Sequence, residues 1–238
     1  MPSDDLAAVA ALFEAAGGTW VTPPAVVAER LAACRALVLD WDGVFNTGAK
    51  AAGSPSGFSE PDSMGLNLAR YGLWRAHGRL PVTVVLSGED NPTATAFATR
   101  ENFDAVYLGM TDKREPLRHL CQAHGIAPGQ VAVVFDDAND LALAAECGLR
   151  FLVSRAASPL LGRYAATHGL CDYATANGGG SHAVREVAEV VLGCLGQHEA
   201  VFASRAAFDA DYQAYLAARR LTAIAHHTGP MSLGSAPR

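Results

Sequence analysis

The feature of this 238-residue sequence that most restricts its fold is a regular alternation of short apolar runs with segments of helical periodicity. Short apolar runs are typical of strands buried on both faces of a sheet, and the segments between them are typical of the covering helices. The predicted strands are 36–40, 82–87, 105–108, 131–135 and 149–153. The predicted helices are 63–77, 92–101, 112–124, 139–147 and 182–195. The alternation predicts an α/β fold with a doubly wound, Rossmann-like parallel sheet.

Two segments lie outside the alternation. Residues 1–33 contain two helical patterns, whereas residues 199–226 have the pattern of one long helix, followed by a frayed tail that begins at His226. We therefore expect an N-terminal helical extension (1–33), a core (34–197) and a C-terminal helix with its tail (198–238). Residues 48–65 are rich in Gly, Ser and Pro, and predict a loop or flap beside the end of the first strand.

The composition excludes several classes of protein. Half of the residues are hydrophobic and 18% are charged, which favours a sizeable core over disorder. The net charge of −6 and the lack of a Lys/Arg cluster argue against nucleic acid as a partner. No apolar run is long enough to predict a membrane span. The five scattered cysteines fit free thiols in a reducing compartment, and the acidic start does not resemble a secretory signal, so we expect a cytoplasmic protein.

Polar side chains follow four successive predicted strands. They are Asp40 and Asp42, then Ser87, then Lys113, and finally Asp136, Asp137 and Asp140. Gly88, next to Ser87, is expected to belong to a substrate loop. Ligands of open parallel sheets bind outside the carboxyl ends of the strands, so we expect these side chains to lie together. One acidic pair alone could be a helix cap, and one lysine alone could be a solvated residue, but four such clusters are hard to explain as capping.

The residue types fit metal-assisted phosphoryl transfer. Asp40 and Asp136 offer the hard oxygens that Mg²⁺ prefers, and Asp40 can attack phosphorus to form an aspartyl-phosphate. Ser87 and Lys113 can hold the non-bridging phosphate oxygens. Asp42 can protonate the leaving oxygen and later activate water. We expect Asp137 and Asp140 to support this site, although Asp140 could instead cap the following helix.

These motifs together resemble the haloacid dehalogenase superfamily of phosphohydrolases. The segment DWDGVFNTG is similar to its first motif, LSG to the second, Lys113 to the third and DDANDL to the fourth. Within the superfamily, residues 34–196 resemble the 3-deoxy-manno-octulosonate 8-phosphate phosphatases, including the glycine-rich segment that ends in AVREV. In that segment, Gly178, Gly179 and Gly180 could form a substrate-facing loop or simply lead into a helix.

The resemblance implies a core without a large cap, a Mg²⁺ cofactor and the roles given above, with the Asp42 backbone carbonyl as a further metal ligand. It also implies a tetramer in which a β-hairpin flap helps to close the site on a small phosphorylated substrate. Two positions depart from the pattern. Glu89 replaces an arginine that would suit an anionic substrate, and Phe135 replaces a glycine, where it could crowd the site or pack into the core. These departures leave open a second function, a catalytically inactive homologue that serves in binding or assembly.

Overall fold

One eight-stranded sheet organises the computed structural model, which describes residues 3–51 and 56–229. Its strands are β1 (Thr19–Trp20), β2 (Ala36–Leu39), β3 (Val82–Leu86), β4 (Ala105–Leu108), β5 (Val131–Phe135), β6 (Leu149–Leu152), β7 (Tyr173–Ala174) and β8 (Ala225–Thr228). The helices are α1 (Ser3–Ala15), α2 (Pro24–Ala32), α3 (Glu60–His77), α4 (Pro92–Arg100), α5 (Arg114–His124), α6 (Leu141–Glu146), α7 (Pro159–Thr167), α8 (Ala183–Cys194), α9 (His198–Ala207) and α10 (Ala210–Arg219).

The strands lie in the order β1-β7-β6-β5-β2-β3-β4-β8, so β2 is near the centre of the sheet. Ala36 of β2 pairs with Val82 on one side and with Val131 on the other. Every neighbouring pair is parallel except β1 and β7, which are antiparallel. The five strands predicted from apolar runs are all present, each within one residue of its predicted end.

Alternating side chains send the two faces of the sheet into two separate cores. Leu37 and Leu39 of β2 join the apolar cluster that contains α2, α3, α4 and α8. Ala36 and Val38 join the cluster that contains α5, α6 and α7. Helices therefore cover both faces, which confirms the doubly wound α/β prediction. Phe135 is fully buried in the second cluster, so it packs into the core.

The N-terminal segment forms the two predicted helices and also supplies one edge of the sheet. Strand β1 follows α1 and pairs with β7. The buried carboxylate of Asp172 accepts hydrogen bonds from Thr22 Oγ1 at 2.6 Å and from Arg30 Nη1 at 2.7 Å. A buried charged acceptor with two partners ties this segment firmly to the core. The division of the chain into three regions stays a prediction.

The prediction of one long helix over 199–226 is wrong. The chain breaks at Phe208, whose φ is +49°, and Asp209 then starts α10 by accepting a hydrogen bond from Tyr212 N at 2.9 Å. An aspartate N-cap restarts a helix in a new direction, and this signal outweighed the continuous apolar pattern. The frayed tail is also corrected, because His226 and His227 belong to β8, which pairs with β4. The remainder of that predicted tail, 230–238, lies outside the described residues.

The connection between β2 and β3 contains one loop and α3. Within 3–51 and 56–229 there is no large cap domain, as predicted. The predicted flap, 48–65, is described at 48–51 and at 56–65, where its last residues begin α3, and 52–55 lie outside the described residues. Among the described helices, none is long and apolar enough to cross a membrane. All five cysteines are buried as free thiols.

Candidate active site

The carboxyl ends of β2, β3 and β5 bring three of the predicted side chains to one edge of the sheet. Backbone pairing continues one residue beyond each strand, with Asp40 N donating to Val134 O at 3.0 Å and Ser87 N donating to Tyr107 O at 2.8 Å. Asp136 directly follows β5, the neighbour of β2. The sheet itself therefore fixes these three positions, and all three side chains are buried.

Lys113 joins this edge from the turn that precedes α5. Its Nζ lies 2.7 Å from Asp40 Oδ1 and 2.5 Å from Asp140 Oδ1, and all three residues are buried. Burial alone would disfavour the ammonium, but the charges of the two carboxylates outweigh burial and raise the pKa of Lys113. Lys113 is therefore a fixed positive charge in the centre of the acidic cluster.

Three buried carboxylates form the negative part of the cluster. One oxygen from each of Asp40, Asp136 and Asp140 lies within 4.8 Å of the others. Burial raises the pKa of Asp136 and of Asp140, and the negative charge of Asp40 raises both further. Mutually repelling, desolvated oxygen donors are the ligands that hard divalent cations favour, so the residues present fit a metal such as Mg²⁺.

Asp42 lies beside the cluster, and its carboxylate is held separately from that of Asp40. Lys50 Nζ contacts Asp42 Oδ2 at 2.5 Å, and Ser56 Oγ donates to Asp42 Oδ1. The described parts of the loop after β2 thus orient the side chain of Asp42, which is predicted to act as the general acid and then the general base. The intervening residue, Trp41, points the other way into the core, where it packs against Phe45.

The two aspartates predicted to support the site behave differently from each other. Asp137 is exposed, and its side chain accepts a hydrogen bond from Ala138 N at 2.7 Å. Asp140 makes no cap hydrogen bond and instead contacts Lys113. Asp137 is therefore the capping residue, while Asp140 is positioned to hold Lys113.

A cavity of about 490 Å³ opens above this cluster, and most of the predicted site residues line it. It is lined by Asp40, Asp42, Ser87, Gly88, Lys113, Asp136 and Asp137, together with Thr47, Gly48, Lys50, Glu89, Asn139 and Arg155. The predicted glycines after β7 do not line this cavity. Gly178 and Gly179 line a neighbouring one, and a Cβ on Gly179 would overlap the backbone of Gly43. They support the loop after β2.

Arg155 is the main residue that the sequence analysis missed. Its Nη2 donates to Asp136 Oδ2, and its Nη1 lies 3.7 Å from Asp137 Oδ2. Arg155 follows β6 by three residues, so it stands at the same edge of the sheet as the predicted set. The sequence did contain a signal for Arg155. Ligands bind outside the carboxyl ends of the strands, and this reasoning, which identified the four clusters, applies equally to residues that follow the fifth predicted strand.

Comparison with known proteins agrees with this geometry. The curated 3-deoxy-D-manno-octulosonate 8-phosphate phosphatase KdsC of Haemophilus influenzae is 30% identical over 113 residues, which are 48% of this chain and 59% of that protein. A structure assigned to the HAD family of hydrolases, from Streptomyces avermitilis, is 29% identical, with a TM-score of 0.54 over 67% of this chain and 91% of its own. The chain is similar in sequence and fold to proteins of the haloacid dehalogenase superfamily.

A further structure of the superfamily carries a metal. The cobalt-bound deoxy-D-mannose-octulosonate 8-phosphate phosphatase of Haemophilus influenzae is 27% identical, with a TM-score of 0.58 over 70% of this chain and 92% of its own. No protein-family model matches the chain. The chain thus spans about three fifths of the curated relative and nearly all of these two structures.

Proposed function

We propose that this protein is a Mg²⁺-dependent phosphatase that hydrolyses a small phosphorylated metabolite, a sugar or sugar-acid phosphate. The observation that carries the proposal is the arrangement of Asp40, which contacts Lys113 and faces Asp136 within one cavity. A buried carboxylate beside a fixed cation and two further carboxylates suits nucleophilic attack on a phosphate ester.

In this proposal Asp40 attacks phosphorus in line as the bond to the leaving oxygen breaks. Asp42 gives its proton to that oxygen and then takes a proton from the water that hydrolyses the aspartyl-phosphate. Lys113 and Ser87 donate to the non-bridging oxygens, where negative charge is concentrated. Asp140 is a positioning residue for Lys113, and the exposed Gly88 lets substrate approach the end of β3.

The metal ligands in this proposal are Asp40 and Asp136, together with the backbone carbonyl of Asp42. A bound divalent cation supplies positive charge that offsets the repulsion between these carboxylates and the phosphate. The raised pKa of Asp136, which arises from burial and the nearby charge of Asp40, supports this assignment. The cobalt-bound relative supports a divalent cation in this fold.

The inactive alternative is not favoured. Asp40, Asp42, Ser87 and Lys113 all line the same cavity, whereas a decayed enzyme would be expected to have lost at least one of them. Phe135, one of the two departures that motivated the alternative, is buried in the core and does not line the cavity. The tetramer and the hairpin flap of the related phosphatases stay predictions for this chain.

The test is phosphate release from a panel of sugar phosphates and one aryl phosphate, with Mg²⁺ and with a chelator. We expect turnover by the wild-type protein to need Mg²⁺ and to fall at least about 1,000-fold in Asp40→Asn, because the nucleophile is lost. Asp90→Asn is the matched control, since Asp90 is exposed and lies outside the cavity. Turnover that survives Asp40→Asn would refute the mechanism, and folded wild-type protein without activity on any compound would refute the function.

A further inference from the structure

A second cavity, of about 700 Å³, adjoins the one above the acidic cluster. The two cavities share Thr47 and Arg155 as wall residues. The second is bounded by the turn before β1, by the segment after β6 and by the glycine-rich segment after β7. The N-terminal segment therefore helps to build a space that opens beside the proposed phosphate position and is large enough for the remainder of a sugar-sized substrate.

Arg155 is the only charged residue among those lining the second cavity. Its side chain is 38% exposed. Its guanidinium has five N–H donors, and one of them, on Nη2, forms a hydrogen bond with Asp136. Asp137 Oδ2 lies 3.7 Å from Nη1, and among the described residues no acceptor other than Asp136 takes a hydrogen bond from Arg155, so N–H donors remain for an anion that enters the second cavity.

The charges around the first cavity are distributed unevenly about Asp40. Glu89 follows β3 on one side of β2, and Arg155 follows β6 on the other side, beyond β5. Glu89 is exposed at the rim, where it repels an anionic leaving group. Asp137 also lines the first cavity, on the Arg155 side, but no carboxylate of the described residues lines the second, so a substrate with a second negative charge is favoured with that charge over the second cavity.

We propose that Arg155 is a specificity-determining residue that binds a second anionic group, such as a carboxylate, on the leaving portion of the phosphorylated substrate. This inference rests on the proposed function and adds a substrate class to it. The fork of the guanidinium suits a carboxylate, and its contact with Asp136 keeps it close to the phosphate end of the substrate. The leaving group then lies in the second cavity, against the wall formed by Gly17 and Thr19.

The test uses two pairs of compounds, each differing only in a carboxylate or a hydroxymethyl group. They are 6-phosphogluconate with sorbitol 6-phosphate, and 3-phosphoglycerate with glycerol 3-phosphate. We expect wild-type kcat/KM to favour the acid in at least one pair, and Arg155→Gln to reduce that preference by about 10- to 100-fold through loss of a charged hydrogen bond. Arg155→Lys should retain part of it. Arg163→Gln, which removes an exposed arginine of α7 that lines neither cavity, should change nothing.

Two results would overturn the inference. One is a wild-type protein with no preference in either pair, and the other is an equal loss for acid and alcohol in Arg155→Gln. Calorimetric affinities of the same compounds for Asp40→Asn and for Asp40→Asn with Arg155→Gln give a readout that needs no turnover. If Arg155-dependent binding persists while the wild-type protein hydrolyses nothing, the proposed function fails and the inference stands. If the wild-type protein hydrolyses these compounds without an Arg155-dependent preference, the proposed function stands and the inference fails.

Discussion

Gly43 passes so close to Asp136 that a Cβ atom on Gly43 would overlap the Asp136 carboxylate. Gly43 also adopts a φ of +89°, a backbone conformation that is costly for other residues. The loop after β2 therefore closes directly over the proposed metal ligand on β5. The glycine of the first motif is required at this position by both space and backbone geometry.

We predict that Gly43→Ala lowers activity at least tenfold and weakens Mg²⁺ binding, because the added methyl group displaces Asp136. The left-handed backbone should also lower the free energy of unfolding by about 1–2 kcal/mol. Calorimetric Mg²⁺ titration and urea unfolding measure the two effects. Gly162→Ala is the control, since it lies in α7 with no atom near its Cβ position and should be neutral or stabilising. Unchanged Mg²⁺ affinity in Gly43→Ala would contradict the prediction.

Lys113 compensates two buried carboxylates, so its removal should affect stability as well as activity. We predict that Lys113→Met lowers the free energy of unfolding by about 3 kcal/mol in metal-free protein, because Asp40 and Asp140 then lose their buried partner. Urea unfolding in the presence of a chelator measures the loss. Phosphatase activity should fall by at least about 100-fold, since a charge that stabilises the transferred phosphate is missing.

The double variant Lys113→Met with Asp140→Asn separates these two effects. It removes one negative charge together with the positive one, so it should regain about half of the lost stability while activity stays low. If the stability losses of the two single substitutions simply add, Lys113 and Asp140 are not coupled and the argument from the ion pair is wrong.

The central sheet could be predicted from sequence because each of its strands is buried on both faces. Runs such as 131–135 are wholly apolar and rich in β-branched residues, and a strand covered by helices on both faces buries all of those side chains. The edge strands could not be predicted in this way. Strand β8 contains two histidines and is largely exposed, so its only signal is backbone pairing with β4.

The site, too, could be predicted only in part. The positions of Asp40, Ser87 and Asp136 could be predicted from sequence because a side chain at the end of a predicted strand has a position that follows from topology alone. Arg155 reaches the cluster through its long side chain, and Glu186 acts from a helix behind the glycine-rich segment. The place of Arg155 after β6 follows from strand order, but its contact with Asp136 and the position of Glu186 depend on side-chain packing between elements distant in sequence, which periodicity and strand order do not specify.

Glu186 positions the glycine-rich segment, and we predict that Glu186→Ala disturbs the site from a distance. This buried carboxylate accepts hydrogen bonds from Tyr173 Oη, from Ala176 N and from both the backbone and the side-chain amide of Asn177. Its loss leaves these donors without an acceptor and should lower the free energy of unfolding by about 2–3 kcal/mol. Activity should fall because the segment supports the loop that contains Gly43.

Urea unfolding and phosphate release measure these two losses. Glu189→Ala is the matched control on α8, because Glu189 is half-buried and pairs only with Arg185 among the described residues, a contact worth less than about 1 kcal/mol. A stability loss in Glu186→Ala no larger than that in Glu189→Ala would show that the hydrogen-bonded network does not hold the segment.

His227 should make the attachment of β8 dependent on pH. Its ring stacks on Tyr107 with a centroid distance of 4.7 Å and contacts the ring of His119, while His226 precedes it in β8. Burial lowers the pKa of His227, and the two neighbouring histidines lower it further. In the window just below the ordinary histidine pKa of about 6.5, the unfolded chain therefore binds the proton more readily than the folded protein. Acidification through that window should therefore lower the contribution of His227 to the free energy of unfolding, whereas the raised pKa values of Asp136 and Asp140 act in the opposite direction.

We predict that His227→Phe, which keeps an aromatic ring on Tyr107 but cannot titrate, removes this contribution, so that acidification lowers its free energy of unfolding less, or raises it more, than that of the wild-type protein. Urea unfolding between about pH 7.5 and 5.5 measures the slopes, in the window set by the histidine pKa. His168→Phe is the control, because His168 is exposed on the opposite side of the sheet order, after α7, and its replacement should leave the slope of the wild-type protein unchanged. Equal slopes for wild type and His227→Phe would mean that protonation of His227 does not affect stability, and that β8 remains attached to β4 whether or not His227 carries a proton.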